Sequence, residues 1–322
     1  MHSEAAPYFA EVAEGPDTAA AYWRTTSDGV RVRIAAWPRD KARGTLLLMP
    51  GRTEYVEKYA RFAEELGAHD YAMMAIDWRG QGLADRLLDD PRVGHVASFT
   101  DYQKDVVEMV ALAKELDMPK PWHVLGHSMG GAIGLRSVLE GLDVCSATFT
   151  GPMWGIIIAP GMRQLAWTLY YASSWIGQSH RLPPTRSYEN YVATSPFAGN
   201  MLTNDEDMWN YMARQVNEHP ELALGGPSLR WLGESLRECR YLMSAPVPPM
   251  PAICLVGEEE SIVDREQMRL RMATWPGGSF HIVNDAQHEV LMEGPEIRAQ
   301  VLQQILDLFA RGESQANVSH SA

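Results

Sequence analysis

The sequence contains few cysteines, few basic residues and no long hydrophobic run. Its three cysteines (Cys145, Cys239 and Cys254) are too few for a disulfide framework and lack the spacing of metal ligands, so we expect a reducing compartment such as the cytoplasm. The formal net charge of −13 argues against nucleic acid as a partner and against a polybasic anchor on an anionic membrane, because both depend on Lys and Arg. The longest apolar runs, such as ICLV and LLLM, are far shorter than a membrane span.

The two ends of the chain are polar. The N-terminal segment MHSEAAPYFAEVAEGPD is acidic, whereas a secretory signal peptide is basic and then apolar. We therefore expect no signal peptide and interpret residues 1–16 and 313–322 as mobile tails. The chain has 322 residues, 46% of them hydrophobic, which allows one large domain with an insertion or two smaller domains.

Between these ends, short apolar runs alternate with longer helical patterns. This alternation predicts an α/β fold in which helices flank a mostly parallel sheet. Several runs are apolar throughout, as expected for strands that are buried on both faces. The predicted strands are 31–37, 44–50, 71–77, 122–127, 146–151, 251–257 and 279–284, and the predicted helices are 54–67, 101–117, 129–141, 264–274 and 295–311.

Residues 152–247 interrupt the alternation. They contain no apolar strand pattern and are rich in Trp, Tyr, Met and Pro. The stretches RQLAWTLYYASSWIG, MWNYMARQVNEH and PSLRWLGESLRECRYL are typical of amphipathic helices separated by turns. We interpret 152–247 as a helical insertion into a core formed by 17–151 and 248–312.

One short motif carries the chemistry. Gly126-His127-Ser128-Met129-Gly130 lies between a predicted strand and a predicted helix, and G-x-S-x-G is the pattern of a nucleophile elbow. In that turn the serine hydroxyl stands exposed at a helix N-terminus, where backbone N–H groups and the helix dipole favour a developing anion. Such a short pattern also arises by chance, but its position between strand and helix makes an incidental serine the weaker interpretation.

A serine hydroxyl needs a base, and the chain order in α/β-hydrolases is Ser, acid, His. His288 is the candidate base because it follows the last predicted strand and precedes the last predicted helix. The acid should follow the preceding strand, where the run LVGEEESIVD offers Glu258, Glu259, Glu260 and Asp264. Asp264 fits better as the N-cap of the next helix, so these residues alone leave the three glutamates open.

An oxyanion hole needs one N–H from the residue after the nucleophile, here Met129, and one from the loop after an early strand. Arg52, in the stretch GTLLLMPGRTEYVEKY, is the candidate for the second backbone donor. The simplest interpretation of its guanidinium is a surface ion pair, for which Glu54 is a candidate.

With these residues in place, the chain resembles the serine α/β-hydrolases of the lysophospholipase and monoacylglycerol lipase group, and most closely the bacterial lysophospholipases. The resemblance extends over about residues 18–311, through PGRTEYVEKY, DWRGQGLADRLLDDPRVGHVASFTDY, GHSMGG, TGPMWGI, HPELALGGPSLRWLGES, GEEESIVD and DAQHEVLMEGPEIR. It implies an α/β-hydrolase fold. The acid of this family is the last residue of G-x-x-D, and counting from Gly257 places Glu260, instead of Asp, at that position. The base maps onto His288 and the oxyanion donors onto Arg52 and Met129.

The resemblance also implies that 152–247 is a cap that covers the site and forms an acyl or alcohol pocket. Met153 and Trp154 are then candidate substrate contacts, although cap aromatics can also serve only to pack the cap onto the core. An amphipathic cap could contact a lipid surface transiently without a basic patch, which would make the protein peripheral to a membrane.

The expected function is hydrolysis of the carboxylic ester of a lysophospholipid or monoacylglycerol through an acyl-enzyme on Ser128. The expected partner is this small lipid or ester substrate, and no metal ion or organic cofactor is needed. Two alternatives keep the acyl-enzyme: acyl transfer to another alcohol, and a general carboxylesterase for small esters. A third is a protein without enzymatic activity that binds a hydrophobic ligand in a capped pocket.

Overall fold

A computed structural model describes residues 4–159, 161–184 and 186–320, with side chains of the last helix as far as Ala316. Within them, one nine-stranded sheet forms the central layer. Its strands are β1 (Glu4–Ala6), β2 (Ala20–Thr25), β3 (Arg31–Trp37), β4 (Gly44–Met49), β5 (Tyr71–Asp77), β6 (Trp122–His127), β7 (Ser146–Thr150), β8 (Ala252–Gly257) and β9 (Gly278–Val283). The order across the sheet is β1-β2-β3-β5-β4-β6-β7-β8-β9.

The sheet is mostly parallel, as predicted. Pairing is antiparallel from β1 through β2 and β3 to β5, and parallel from β5 through β4, β6, β7 and β8 to β9. The carboxyl ends of the parallel strands therefore meet at one edge, which is where α/β sheets bind ligands. The predicted strands at 31–37, 71–77 and 122–127 have the observed bounds.

Helices cover both faces of the sheet. They are α1 (Ala10–Ala13), α2 (Ala60–Gly67), α3 (Tyr102–Glu115), α4 (Met129–Leu139), α5 (Met162–Trp175), α6 (Tyr191–Thr194), α7 (Glu206–Glu218), α8 (Leu229–Ser244), α9 (Arg265–Ala273) and α10 (Pro295–His320). One core cluster joins the sheet to α3, α4, α8 and α9, and a second joins it to α2, α7 and α10. Strand β3 illustrates the alternation: Ile34 and Ala36 belong to the first cluster, Ala35 and Trp37 to the second.

The prediction of a mobile tail at 1–16 is wrong for the described residues 4–16. Strand β1 pairs with β2, and α1 buries Val12 and Ala13. The segment is also tied to a buried arginine, because Arg33 Nη1 donates to Pro7 O at 2.9 Å. Backbone pairing and a few buried side chains order a polar segment that the hydrophobic pattern does not reveal. Residues 1–3 lie outside the described residues.

The predicted tail at 313–322 is also wrong for the residues that are described, because α10 continues to His320. The Glu313 carboxylate accepts a hydrogen bond from Tyr71 Oη and lies 3.6 Å from His123 Nε2. A polar residue near the end of the helix thus contacts two strands. Residues 321 and 322 lie outside the described residues.

Between β7 and β8 the described chain contains helices α5 to α8 and no strand, in agreement with the predicted helical insertion. The division of the chain into a core and a cap at 152–247 stays a prediction. Among the residues that the structure describes, no helix is both long and apolar enough to cross a membrane.

Candidate active site

Ser128 occupies a strained turn between β6 and α4, with φ 50° and ψ −116°. Residues with a Cβ rarely adopt positive φ, and such strain clusters at functional sites. Backbone hydrogen bonds hold the turn: Ser128 N donates to Thr150 O at 3.0 Å, and Met153 N donates to Ser128 O at 2.8 Å. A Cβ on Gly126 would lie 2.5 Å from the carbonyl oxygen of Gly130. The glycine before the serine is therefore required by the close approach of strand and helix.

Glu260 and His288 are brought together beyond the carboxyl ends of β8 and β9. His288 Nδ1 donates to Glu260 Oε2 at 2.5 Å, and both side chains are buried. The other oxygen of Glu260 accepts from the backbone N–H groups of Ile262 at 2.7 Å and Val263 at 3.1 Å. The carboxylate is thereby locked, and its hydrogen bond fixes the tautomer that leaves His288 Nε2 free to accept a proton.

The pKa values of this pair shift in opposite directions. Burial alone lowers the pKa of His288, but the hydrogen bond and charge of Glu260, with the charges of Glu289 and Glu54, outweigh it and leave the pKa raised above its usual value. Burial alone raises the pKa of Glu260, but His288 and two backbone N–H groups reverse this and leave it lowered. The Glu260 carboxylate therefore stabilises the imidazolium that forms when His288 accepts a proton.

The other acids of LVGEEESIVD are placed differently. Glu258 and Glu259 are exposed. The side chain of Asp264 accepts from the backbone N–H groups of Glu266 and Gln267, so it caps the N-terminus of α9 as predicted. Of the four acids, the described structure brings Glu260 alone to the histidine.

The two candidate oxyanion donors, Arg52 and Met129, line the same cavity as Ser128. Met129 is the first residue of α4, so its N–H has no acceptor inside the helix. Arg52 lies in the loop after β4, whose backbone is held from several sides: Gln81 Nε2 donates to Gly51 O at 2.8 Å, Trp78 Nε1 donates to Pro50 O at 2.9 Å, and the Glu54 carboxylate accepts from Gly51 N. A loop held in this way can keep a backbone donor in a fixed direction.

These residues open onto one cavity of about 300 Å³. Arg52, Ser128, Met129 and His288 line it. Most of the remaining lining is apolar and comes largely from the segment between β7 and β8, including Met153, Ile156, Tyr191, Val192, Met201, Leu202, Met212, Val216, Trp231 and Leu232. The size and character of the cavity are typical of a small-molecule site.

Of the two predicted substrate contacts, Met153 lines the cavity and Trp154 does not. The Trp154 side chain is fully buried, donates from Nε1 to Gly131 O at 3.1 Å and packs edge-on against Phe149 at a centroid distance of 4.9 Å. It stabilises the core behind the serine. Trp154 therefore packs within the core, and the prediction that it contacts the substrate is wrong.

The predicted ion pair between Arg52 and Glu54 is also wrong. Arg52 Nη1 donates to Gly225 O at 2.7 Å, and the guanidinium lies over the Trp231 ring at 5.7 Å from its centroid. Glu54 instead belongs to a buried group of charges, the Lys58 cluster, consisting of Glu54, Lys58, Glu289 and His127. Lys58 Nζ donates to Glu54 at 2.8 Å and to Glu289.

Sequence reasoning missed the Lys58 cluster, although its residues stood in the matching stretches PGRTEYVEKY, GHSMGG and DAQHEVLMEGPEIR. The spacing of Glu54 and Lys58 is that of an i, i+4 pair, and Glu289 is adjacent to the candidate base. His127 Nδ1 lies 3.0 Å from both Thr150 O and Thr150 Oγ1, while its buried Nε2 has no hydrogen-bond partner in the described part of the chain. Its ring stands 4.9 Å from that of His288.

Three members of this cluster, Glu54, His127 and Glu289, offer ligand atoms within 4.8 Å of one another and could in principle hold a metal ion. The ammonium of Lys58 already supplies a positive charge to both carboxylates. A divalent ion would have to displace it, so these residues fit an ion pair better than a metal centre.

The chain is similar to known hydrolases. The family model described as serine aminopeptidase, S33 (Hydrolase_4) matches residues 40–295. Lysophospholipase L2 of Escherichia coli (strain K12) is 32% identical over 331 residues, covering 95% of this chain and 93% of that protein. Probable lysophospholipase L2 of Haemophilus influenzae is 28% identical over 273 residues, covering 83% and 84%.

Among solved structures, a soluble variant of monoglyceride lipase from Saccharomyces cerevisiae matches with a TM-score of 0.70 at 18% identity, over 90% of this chain and 94% of that one. That likeness shows the α/β-hydrolase fold. The family model spans most of the chain, and the Escherichia coli relative aligns with nearly all of it. The chain belongs to the serine aminopeptidase S33 family of α/β-hydrolases, in which it is related to the bacterial lysophospholipases L2.

Proposed function

We propose that the protein is a serine hydrolase that cleaves the carboxylic ester of a monoacyl lipid through an acyl-enzyme. The observation that carries the proposal is the hydrogen bond from His288 Nδ1 to Glu260, on a histidine that lines the same cavity as Ser128. The family and the named activities of the relatives support a lipid ester as the substrate.

In the proposed reaction, Ser128 Oγ attacks the ester carbonyl while His288 Nε2 takes its proton. Glu260 keeps the imidazole in the required tautomer and stabilises the imidazolium that forms. The backbone N–H groups of Arg52 and Met129 donate to the oxyanion. His288 then protonates the leaving alcohol, and a water molecule, activated by the same histidine, hydrolyses the acyl-enzyme.

The apolar lining supplied by the insertion supports the acyl chain as the part of the substrate that it binds. Burial of each methylene contributes about 0.8 kcal/mol, so a long acyl chain adds more to binding than a short one. The names of the relatives favour a lysophospholipid over a monoacylglycerol.

The test combines active-site labelling with a substrate panel. We expect a fluorophosphonate to label the wild-type protein and not Ser128→Ala, and monoacyl lipids to be hydrolysed faster than short nitrophenyl esters. An aminoacyl nitroanilide belongs in the panel because the family description names a peptidase; we expect no turnover, since Lys58 already neutralises the carboxylates that could bind an α-amino group. A folded wild type that is neither labelled nor active on any ester contradicts the proposal.

Contact with a lipid surface is part of the proposal. Helix α5 and its flanks expose large apolar side chains, namely Ile157, Met162, Leu165, Tyr171, Trp175 and Ile176, and Trp175 is 90% exposed. We expect flotation with phosphatidylcholine vesicles to decrease in a Leu165→Ser/Trp175→Ser variant, and anionic lipid to add nothing because the net charge is −13. The free thiols of Cys145, Cys239 and Cys254 support a reducing compartment, the cytoplasm, as the place of action.

A further inference from the structure

Two arginines line the cavity, and they come from different parts of the chain. Arg52 belongs to the loop after β4, and Arg186 belongs to the segment between α5 and α6. Within the described residues, neither guanidinium makes an ion pair with a carboxylate. The neighbouring acids Glu54 and Glu289 are bound by Lys58 instead.

The two positive charges act on each other. Burial, and to a lesser extent the charge of Arg186, together lower the pKa of Arg52 to about 10, with only the weaker influence of Tyr102 opposing. A desolvated cation beside a like charge is unfavourable unless a counter-charge is present. The group that would neutralise both guanidinium groups is an anion in the cavity.

The arrangement suits a phosphate in particular. The guanidinium is a planar fork of donors that matches the oxygens of phosphate, and it remains charged at neutral pH. Gly225 O accepts a hydrogen bond from one N–H of Arg52, and the guanidinium carbon lies 5.7 Å from the centroid of the Trp231 ring. The side chain is therefore oriented, and within the described residues its other N–H groups make no hydrogen bond.

The position of Arg52 also matches the shape of a lysophospholipid. Its backbone N–H is the candidate donor to the ester oxyanion, and its side chain leads away from that point. In a lysophospholipid, the glycerol chain separates the ester carbonyl from the phosphorus by a number of bonds comparable to the length of an arginine side chain. One residue can therefore contact the reacting ester through its backbone and the head group through its guanidinium.

We propose that Arg52 and Arg186 form an anion subsite that binds the phosphate of a lysophospholipid head group and favours such lipids over uncharged monoacylglycerols. This inference rests on the proposed ester hydrolase function. It adds residues that recognise the head group, whereas the triad and the apolar lining would serve both lipids alike.

The test compares kcat/KM for a lysophospholipid and a monoacylglycerol with the same acyl chain. We expect the ratio of the two values to fall about tenfold or more in Arg186→Gln, as for loss of a hydrogen bond to a charged group, and to be partly restored in Arg186→Lys. Arg181→Gln, which removes an exposed arginine outside the cavity lining of the same segment, is the matched control and should leave the ratio unchanged.

A second experiment tests whether the subsite recognises a lipid head group or any free anion. With a short nitrophenyl ester as substrate, glycerol 3-phosphate should inhibit more strongly than inorganic phosphate, and both should inhibit Arg186→Gln less. Equal inhibition by the two anions would overturn the head-group assignment. A lipid ratio that changes less than twofold in Arg186→Gln, in a protein that hydrolyses both lipids, overturns the subsite but not the hydrolase. Absence of hydrolysis and of labelling in the wild type contradicts both the anion subsite and the serine hydrolase function.

Discussion

Two clusters of buried charge include residues of the same stretch, PGRTEYVEKY, and they are built differently. In the first, which we call the Arg33 cluster, Arg33 donates to both oxygens of Glu57 at 2.7 Å and to Asp77 at 2.7 Å, and the three side chains are fully buried. The second is the Lys58 cluster, whose Glu54, Lys58 and Glu289 line the cavity beside Ser128.

The difference lies in how completely the partners are satisfied. The acids of the Arg33 cluster also accept from backbone N–H groups of Phe9 at 3.2 Å, Val56 at 2.9 Å and Leu83 at 2.7 Å, so the cluster joins the N-terminal segment to the sheet. The Lys58 cluster leaves His127 Nε2 without a hydrogen-bond partner in the described chain, 3.5 Å from Glu54 Oε1. A saturated cluster serves to hold the fold, whereas an open one beside a base can influence its protonation.

The largest effect is expected for the carboxylate that contacts the base. Glu260→Gln should lower kcat about 10⁴-fold, because the amide no longer stabilises the imidazolium or fixes its tautomer. Glu258→Gln and Glu259→Gln are matched controls in the same run and should retain nearly full activity. Steady-state kinetics on a monoacyl lipid provide the measurement. Equal losses at all three positions would show that the identification of Glu260 is wrong.

A smaller effect, on stability alone, is expected for the Arg33 cluster. Arg33→Met leaves Glu57 and Asp77 buried without a counter-charge, and we expect the free energy of unfolding to fall by about 3–5 kcal/mol. The turnover per fluorophosphonate-titrated site should stay that of the wild type. Urea unfolding measures the first quantity, and Arg33→Lys provides a milder variant if Arg33→Met does not fold. A change in the pH profile of the folded Arg33 variant would show that the Arg33 cluster also influences the base, which contradicts the proposed difference between the two clusters.

A substitution in the Lys58 cluster should instead change the pH dependence of activity. His288 must be neutral to act as a base, so activity is lost as the pH falls through its raised pKa. Lys58→Met removes a positive charge next to Glu54 and Glu289, which favours the imidazolium. The acidic limb of kcat/KM should therefore move about one pH unit higher, with about tenfold lower activity near pH 7. If the acidic limb of the pH profile does not shift in the folded Lys58→Met variant, the Lys58 cluster is purely structural, like the Arg33 cluster.

Features that depend on neighbours in sequence were predictable. The elbow needs Gly126 and Gly130 at fixed offsets from Ser128, and Asp264 caps α9 through residues two and three positions later. The apolar runs identified seven of the nine strands in the described chain, and six of these, all except β9, are buried along nearly their whole length, which leaves a continuous hydrophobic signal. The strands that were missed, β1 and β2, lie at the polar antiparallel edge.

Features that depend on distant partners were decided by the tertiary structure. Lys58 and Glu289 are 231 residues apart, and Arg52 finds its acceptor, Gly225, 173 residues away. The sequence by itself determined the order of the catalytic candidates along the chain: the serine, the acid and the histidine each follow a strand. Only the fold decided which charge faces which, because a buried charge takes whichever partner the packing brings within reach, and local spacing carries no record of that choice.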